Sequence, residues 1–510
     1  MTDRRSAFPD WLESNAADHP DRIALVADGK SWTYLALDAD ATRMARRLAT
    51  LGVRFGDRIA SLLHNGSAAA ILPHAALRLG ATIVPLNVRL GESEIAWQLR
   101  DSAPRVLVAE SRTIKHVQNV LSDNADLVTV SVDADGASPG RCFLDEVDEA
   151  VVPLQLTHDA DAVLAVIYTS GTTGRPKGAM LTVANFWWSA AGSALNLGTR
   201  EDDRWLACIP LFHIGGLSIV MRSAIYGITA VVIDGFDPDV VNATIDSGSI
   251  TIVSVVALMM QRMLDARGAK PFPPTLRLVL LGGGPAPRAL LERCISSRIP
   301  IAQTYGLTET CSQSATLPPR DAHRKLGSAG KVLQPNELRI AVSDDRIAGT
   351  NTEGEILVRG PIVMAGYLGR ANATSRAIVD GWLHTGDVGT LDEDGYLYVV
   401  DRRDDLIVTG GENVYPAEVE AVLVSHPSVA EAGVIGIDDV EWGQRVVAIA
   451  RLKDGSQITR IDSLALQAFC RAQLAGYKVP KEIRFVSEPL PRTASGKLRR
   501  KSLREMAKAS

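Results

Sequence analysis

The stretch YTSGTTGRPKG, residues 168–178, gathers Gly171, Gly174 and Gly178, the hydroxyls of Thr169, Ser170, Thr172 and Thr173, and the cations Arg175 and Lys177. Glycine permits left-handed dihedrals and close backbone approach, and consecutive amides exposed in such a turn form a concave anion site. The hydroxyls and Lys177 add donors and positive charge, so the chemistry that these residues suit is the cradling of a polyphosphate. The apolar run VLAVIY leads directly into the loop, as a strand would. The spacing departs from the Walker pattern, because residue 176 is proline and Lys177 is followed by Gly178 rather than Ser or Thr. An ordinary P-loop NTPase is therefore disfavoured.

A second group lies in IPLFHIGGLSIVMRS. Ser218 and Arg222 are four residues apart and share a face of the predicted helix. An arginine on the otherwise apolar helix LSIVMRSAIYG needs an anion, which could be a structural aspartate or a second carboxylate on a substrate.

The elements that must position these groups follow an alternating grammar. Between about residue 22 and residue 310, short β-branched runs (RIALVA, RIASLLH, ATIVPLN, RVLVAE, TAVVID, ITIVSVV, LRLVLLG, IPIAQTY) alternate with amphipathic segments such as ATRMARRLATLG, ALMMQRMLDARG and RALLERCISSR. This is an α/β pattern, with sheets covered on both faces by helices and ligand sites at the carboxyl ends of strands. Beyond residue 330 shorter strands and turns take over, with Gly395 in DEDG marking a hairpin. The last hundred or so residues mix strands and helices into a small α+β domain. The expected fold is a large N-terminal domain of mixed and parallel sheets covered by helices, residues 1–403, which includes a β-rich subdomain. It is followed by a small α+β domain, residues 404–510.

The chain has 510 residues, 46% hydrophobic and 22% charged, which is the composition of an ordinary folded protein. A net charge of -5 gives no overall attraction to nucleic acid or anionic lipid, so the default partner is a small molecule. AAAILPHAALRLGATIVPL is broken by Pro73, His74 and Arg78 and reads as a core helix followed by a strand rather than a membrane span. The N-terminal stretch lacks the apolar core of a signal peptide, and five scattered cysteines form no CxxC pair. A cytoplasmic enzyme fits these observations. Oligomeric state stays open, with a homo-oligomer allowed.

Taken together, YTSGTTGRPKG, LGGGPAP, YGLTET, GWLHTGDVG, DRRDDLIVTGGENVYPAEVE and PRTASGKLRR resemble, in order, the signature motifs of the adenylate-forming superfamily, which includes the acyl-CoA synthetases. The resemblance covers nearly the whole chain and implies that the small domain is a mobile lid. It implies an ATP site with Thr169, Ser170, Gly171, Thr172, Thr173, Gly174 and Lys177 at the phosphates, and Gly283 and Gly284 as a flat wall for the adenine. Tyr305, Gly306 and Thr308 would touch the nucleotide, and Asp387, expected at a tight turn, would accept from the ribose diol. Glu309 would help to hold Mg²⁺, which prefers carboxylate, water and phosphate oxygens. In isolation Asp387 reads equally as an Asx turn and Glu309 as a helix-start carboxylate. Lys497 would bridge the attacking carboxylate and the α-phosphate, Asp404 would be the hinge, and Arg402 would contact the nucleotide. Gly410, Gly411 and Glu412 would line the thiol tunnel, and His213 would be the gate between the ATP and acyl sites.

The function implied is acid activation by ATP followed by transfer to CoA. NFWWSAAGSALNLG, the arginine nine positions after His213, LGGGPAP and YGLTETCSQ resemble one branch in particular, the o-succinylbenzoate:CoA ligases of menaquinone biosynthesis. In that branch Arg222 would hold the carboxylate that is not activated, with Ser218 and His213 as further substrate residues. A ligase for another aryl or medium-chain acid, transfer to a carrier-protein thiol, and a noncatalytic nucleotide-binding protein on the same fold are the competing expectations.

Overall fold

The computed structural model describes residues 7–122, 127–133, 142–169, 176–284, 286–343, 346–401, 406–453, 462–491, 498 and 500–508. The chain divides into two units. One is Met1–Val88 with Leu99–Ile167 and Gly178–Val400; the other is Arg89–Gln98 with Tyr168–Lys177 and Asp401–Ser510. The expected hinge, Asp404, and its neighbour Arg402 lie outside the described residues.

The β-branched runs form two large sheets. In one, Arg58–Leu62, Thr82–Pro85, Val106–Ala109 and Val128–Ser131 run parallel, and Val163–Thr169 runs parallel to Thr82–Pro85. In the other, Ile23–Ala27, Thr229–Val232, Arg204–Ala207, Ile252–Val256, Leu278–Gly282 and Ile301–Tyr305 are parallel neighbours, and antiparallel strands such as Ala315–Leu317 close the edges. The strands Glu337–Ser343, Gly354–Arg359 and Trp382–Leu391 form the β-rich part of this unit, antiparallel throughout. In the smaller unit Val429–Asp439 and Gly443–Leu452 make a long antiparallel pair, and Glu482–Val486 adds parallel to the second. The expected α/β architecture with a β-rich subdomain and a small α+β unit is the one observed.

Two helices matter most for the site. Val183–Leu197 begins at Thr182, whose hydroxyl accepts from the Asn185 amide while the Asn185 side chain accepts from the Thr182 amide, a reciprocal cap. Ile214–Tyr226 ends at Gly227 in the left-handed conformation, where glycine carries no Cβ penalty. Leu217, Met221 and Ala224 pack into the core beside the first large sheet, while Ile219 and Val220 pack into the core beside the second. A helix apolar nearly all round is a buried helix. No described helix is long and apolar enough to cross a membrane.

The N-terminal stretch contributes a helix, Trp11–Asp18, capped by the Asp10 carboxylate. Asp10 is buried and receives two hydrogen bonds from the equally buried Arg78, at 3.1 and 3.0 Å, on the core helix Ser67–Arg78. His158 lies 3.3 Å from the same carboxylate, and Arg78 also reaches the Asp38 carbonyl and the Thr42 hydroxyl. Burial alone raises the Asp10 carboxyl, but the hydrogen bonds from His158 and Arg78 outweigh it and hold the group well below the usual range. Removing one member of such a pair leaves an uncompensated buried charge. Arg78→Ala is expected to destabilise the large unit by about 3–5 kcal/mol, read as a lowered thermal midpoint. A shift equivalent to less than about 1 kcal/mol would mean that the pair is a solvated surface bridge.

Candidate active site

The residues expected on the nucleotide side lie at strand carboxyl ends. Leu278–Gly282 runs out into Gly283, at φ +79, and Gly284, so bare backbone is presented where the expected adenine wall lies. Ile301–Tyr305 runs into Gly306 and the single turn Thr308–Thr310, which carries Glu309. A Cβ on Gly306 would sit 1.5 Å from the Ser312 carbonyl oxygen, so the backbone folds back on itself too closely for any side chain. Tyr305, also buried, donates its hydroxyl to Asp387 Oδ2 at 2.8 Å.

Asp387 was expected at a tight turn. The structure instead sets it within the ten-residue strand Trp382–Leu391, at a place where the pairing with Gly354–Arg359 slips out of register between Glu355 and Leu357. The slip is held by polar contacts: the Glu355 carboxylate accepts from the Gly386 amide at 2.8 Å and meets the His384 ring at 3.0 Å, while the Asp387 amide donates to the Thr385 hydroxyl. A bulge of this kind re-aims a side chain. Sequence reading saw the acidic residue and the glycine, but the bulge depends on Glu355, about 30 residues earlier, and local pattern does not reveal that partnership.

Glu309 Oε1 accepts from the Tyr367 hydroxyl at 2.9 Å, and the Glu309 carbonyl accepts from the Met364 amide at 2.9 Å. No cluster of three or more acidic, His or Cys ligands is present among the described residues. A cation held here would be Mg²⁺ of the kind that takes one or two protein carboxylates and completes its shell with phosphate oxygens and water. The donor set fits that mode and no all-protein cage.

On the expected acid side, Arg222 lies on the helix Ile214–Tyr226 and is 2% exposed. Its Nη2 donates to Ser189 Oγ at 2.9 Å, and its charge lies 5.9 Å from the Trp205 ring centroid. The buried Nε–H has no partner, and no carboxylate among the described residues pairs with the guanidinium. Burial pushes the guanidinium below its ordinary pKa. Of the two anions open from sequence, the structural aspartate is thus absent from the described residues. Ser218, one turn before Arg222, is buried; its hydroxyl donates to the Gly215 carbonyl and lies 3.5 Å from that of Ser312. His213 sits at the amino end of the same helix with its ring 4.7 Å from that of Phe212. Thus His213, Ser218 and Arg222 share one helix, and Ser312 ties that helix to the segment bearing Tyr305 and Glu309.

Thr169 and Lys177 belong to the second unit. The Thr169 hydroxyl lies 3.4 Å from the Lys177 carbonyl, and between them the expected cradle residues Ser170, Gly171, Thr172, Thr173 and Gly174 lie outside the described residues, as does Lys497. In the same unit Gly410 and Gly411, at φ +59 and +84, form the turn that pairs Thr409 with Glu412. The buried Glu412 receives the Arg89 guanidinium at 2.7 Å, and the Trp442 ring approaches to 3.0 Å of where a Gly410 Cβ would stand.

Sequence reading missed Ser189 and Ser312. Asn185, Ser189 and Ser193 are all buried and recur every four residues on Val183–Leu197, a polar stripe on one helix face. That periodicity is legible in NFWWSAAGSALNLG. Nothing local reveals that Cys311 and Ser312 adopt φ of +50 and +91.

Residues 12–368 match the AMP-binding enzyme family and residues 418–497 match the AMP-binding enzyme C-terminal domain; the chain belongs to this family. It is 50% identical over 501 residues to the 2-succinylbenzoate--CoA ligase of Geobacillus kaustophilus, covering 98% of each chain. Among solved structures it resembles the o-succinylbenzoate CoA synthetase of Bacillus subtilis. A double mutant of that enzyme, bound with its product analogue OSB-NCoA, is 41% identical, with 98% of this chain and 99% of that one covered and a TM-score of 0.89. The same enzyme in complex with ATP and magnesium ion gives 41% identity, coverage of 98% and 100%, and a TM-score of 0.74.

The tight approach at Gly306 gives a direct test. Gly306→Ala must displace the Ser312 carbonyl, at a cost of about 1–3 kcal/mol, and with it the turn that carries Glu309. ATP affinity measured calorimetrically is expected to fall about tenfold or more. Unchanged affinity would mean that this strand end does not shape the nucleotide site.

Proposed function

We propose that this chain is an ATP-dependent acid–CoA ligase that converts 2-succinylbenzoate into its CoA thioester through an acyl-adenylate, a step of menaquinone biosynthesis. The observation that carries the choice of acid is the buried Arg222 guanidinium, with an unpartnered Nε–H and no protein carboxylate beside it among the described residues. 2-Succinylbenzoate has two carboxylates. One must be activated, and the other must be recognised and left unreacted. A planar guanidinium accepts a carboxylate with two parallel hydrogen bonds, and a ring carboxylate there would supply the missing counter-charge.

The reaction begins with a carboxylate, whose oxide is too poor a leaving group for direct thiolysis. One carboxylate oxygen attacks the α-phosphorus of ATP, a bond to the bridging oxygen breaks, and pyrophosphate leaves. The CoA thiol then attacks the acyl carbon and AMP departs with the former carboxylate oxygen. In our reading Ser170–Gly174, with Thr169 and Lys177, cradle the phosphates during the first step. Asp387, aimed by its bulge and by Tyr305, accepts from the ribose, and the glycine backbone at 283 and 284 faces the base; Gly306 and Thr308 complete that side. Glu309 would hold Mg²⁺, which supplies charge neutralisation on the phosphates when bound. Lys497 places its ammonium where negative charge develops between the attacking oxygen and the α-phosphate. His213 separates the nucleotide from the acyl pocket, while Gly410, Gly411 and Glu412 line the path of the thiol.

In this reading residues 1–403 form the adenylate-forming domain and residues 404–510 a lid that turns about Asp404, with Arg402 reaching the nucleotide. Closure excludes water from a reactive anhydride. ATP, the dicarboxylic acid and free CoA are the partners, and the cytoplasm is the setting.

AMP production dependent on CoA, measured across 2-succinylbenzoate, benzoate, fatty acids and malonate, is expected to favour 2-succinylbenzoate; preference for a monocarboxylate contradicts the assignment. Arg222→Ala is expected to lower kcat/KM for 2-succinylbenzoate by about 2–5 kcal/mol in transition-state terms. Lys497→Ala is expected to slow adenylation roughly 100-fold or more while thioester formation from supplied acyl-adenylate persists. Equal losses in both half-reactions would remove Lys497 from the adenylation step.

A further inference from the structure

Arg222 is held by one residue whose own bonding is fully determined. Ser189 is 2% exposed on the helix Val183–Leu197, and its hydroxyl donates to the Cys311 carbonyl at 2.7 Å while accepting from Arg222 Nη2 at 2.9 Å. A serine hydroxyl has a single proton. With that proton committed to Cys311, only lone pairs face the guanidinium, which can therefore approach as a donor. Nη2 is fixed, the plane of the group is restrained, and Nε–H is left as a buried donor without a partner.

The other end of this relay is an unusual turn. Cys311 and Ser312, neither of them glycine, have φ of +50 and +91 in succession. Such conformations cost about 1–3 kcal/mol each and persist only where surrounding contacts enforce them. Here the Cys311 amide donates to the Thr308 carbonyl, the Ser312 amide donates to the Leu307 carbonyl, and Ser189 holds the Cys311 carbonyl from the helix. The turn brings the Ser312 hydroxyl to 3.5 Å from Ser218, one helical turn from Arg222.

We propose that Ser189 is a specificity-determining positioning residue: through one hydroxyl it aims Arg222 at the unreacted carboxylate of the acid and fixes the Cys311–Ser312 turn against the same subsite. The inference rests on the reading of Arg222 as a carboxylate receptor and names what makes that receptor directional. Loss of the hydroxyl frees the guanidinium to rotate and relaxes the turn, so discrimination for the dicarboxylate falls although Arg222 itself remains.

The test compares kcat/KM for 2-succinylbenzoate with that for the same keto acid lacking the ring carboxyl, in the full-length wild-type, Ser189→Ala, Arg222→Ala and doubly substituted enzymes. The wild-type ratio is expected to fall roughly tenfold in Ser189→Ala, the scale of one hydrogen bond to a charged group. Ser189→Ala should change the ratio far less when Arg222 is already alanine, because only the turn is then left to relax. Ser189→Cys, which keeps a weaker donor and acceptor at the same place, should lie between wild type and Ser189→Ala, and it serves as the probe if the alanine variant does not fold. Losses equal for both acids, or effects of the two substitutions that simply add, overturn the proposal. A ratio unchanged by Arg222→Ala itself overturns the carboxylate reading instead, whereas a ratio that collapses in Arg222→Ala and not in Ser189→Ala overturns only the role of Ser189.

Discussion

A guanidinium taken out of water without an anion is costly, and the large unit of this protein holds one. Arg222 is enclosed on a helix packed into the cores beside two sheets, where it meets a serine hydroxyl and lies near an indole but no protein carboxylate among the described residues. Contrast Arg78, equally buried, which is matched by Asp10 and by three further acceptors. One arginine is satisfied by the fold and serves stability. The other is left with an unpartnered donor, and a ligand that brings a carboxylate recovers part of what burial cost. In the proposed reading, stability and specificity fall to different arginines of the same unit.

The proposed nucleotide side obeys a different constraint, that of close backbone approach. At Gly306 the chain passes so near the Ser312 carbonyl that no Cβ is tolerated, and the turn that this creates carries Glu309 on one side and the Cys311–Ser312 kink on the other. In the proposed reading, acid recognition and nucleotide recognition meet in a single segment, residues 305–312. Motifs held in common by a family of acid-activating enzymes can set the activation chemistry, while the residues that face the acid decide which acid enters it. Ser189 and Ser218 bridge the two from neighbouring helices.

Much of this was legible in the chain. Every β-branched run between residues 22 and 310 became a strand because alternating apolar runs and amphipathic segments admit few other arrangements. Ser218 and Arg222 share a buried helix as their spacing predicted. What local pattern concealed were relationships across long sequence separations: the Glu355 clamp that turns the expected tight turn of Asp387 into a bulge, the Asp10–Arg78–His158 cluster, and the Ser189 relay to Cys311. Each depends on two elements meeting in space, and a side chain chosen for a distant partner carries no signature in its own neighbourhood.

The central claim is that the open donor on Arg222 is reserved for the substrate's second carboxylate. A crystal structure of the full chain with a nonhydrolysable 2-succinylbenzoyl-adenylate analogue measures this directly, as the distance from Arg222 Nε to the nearest ligand oxygen. The account predicts a charge-assisted contact of about 2.7–2.9 Å, with the Ser189 contact to Nη2 retained. A ring carboxylate lodged elsewhere, with Arg222 paired to a protein acid, would contradict it.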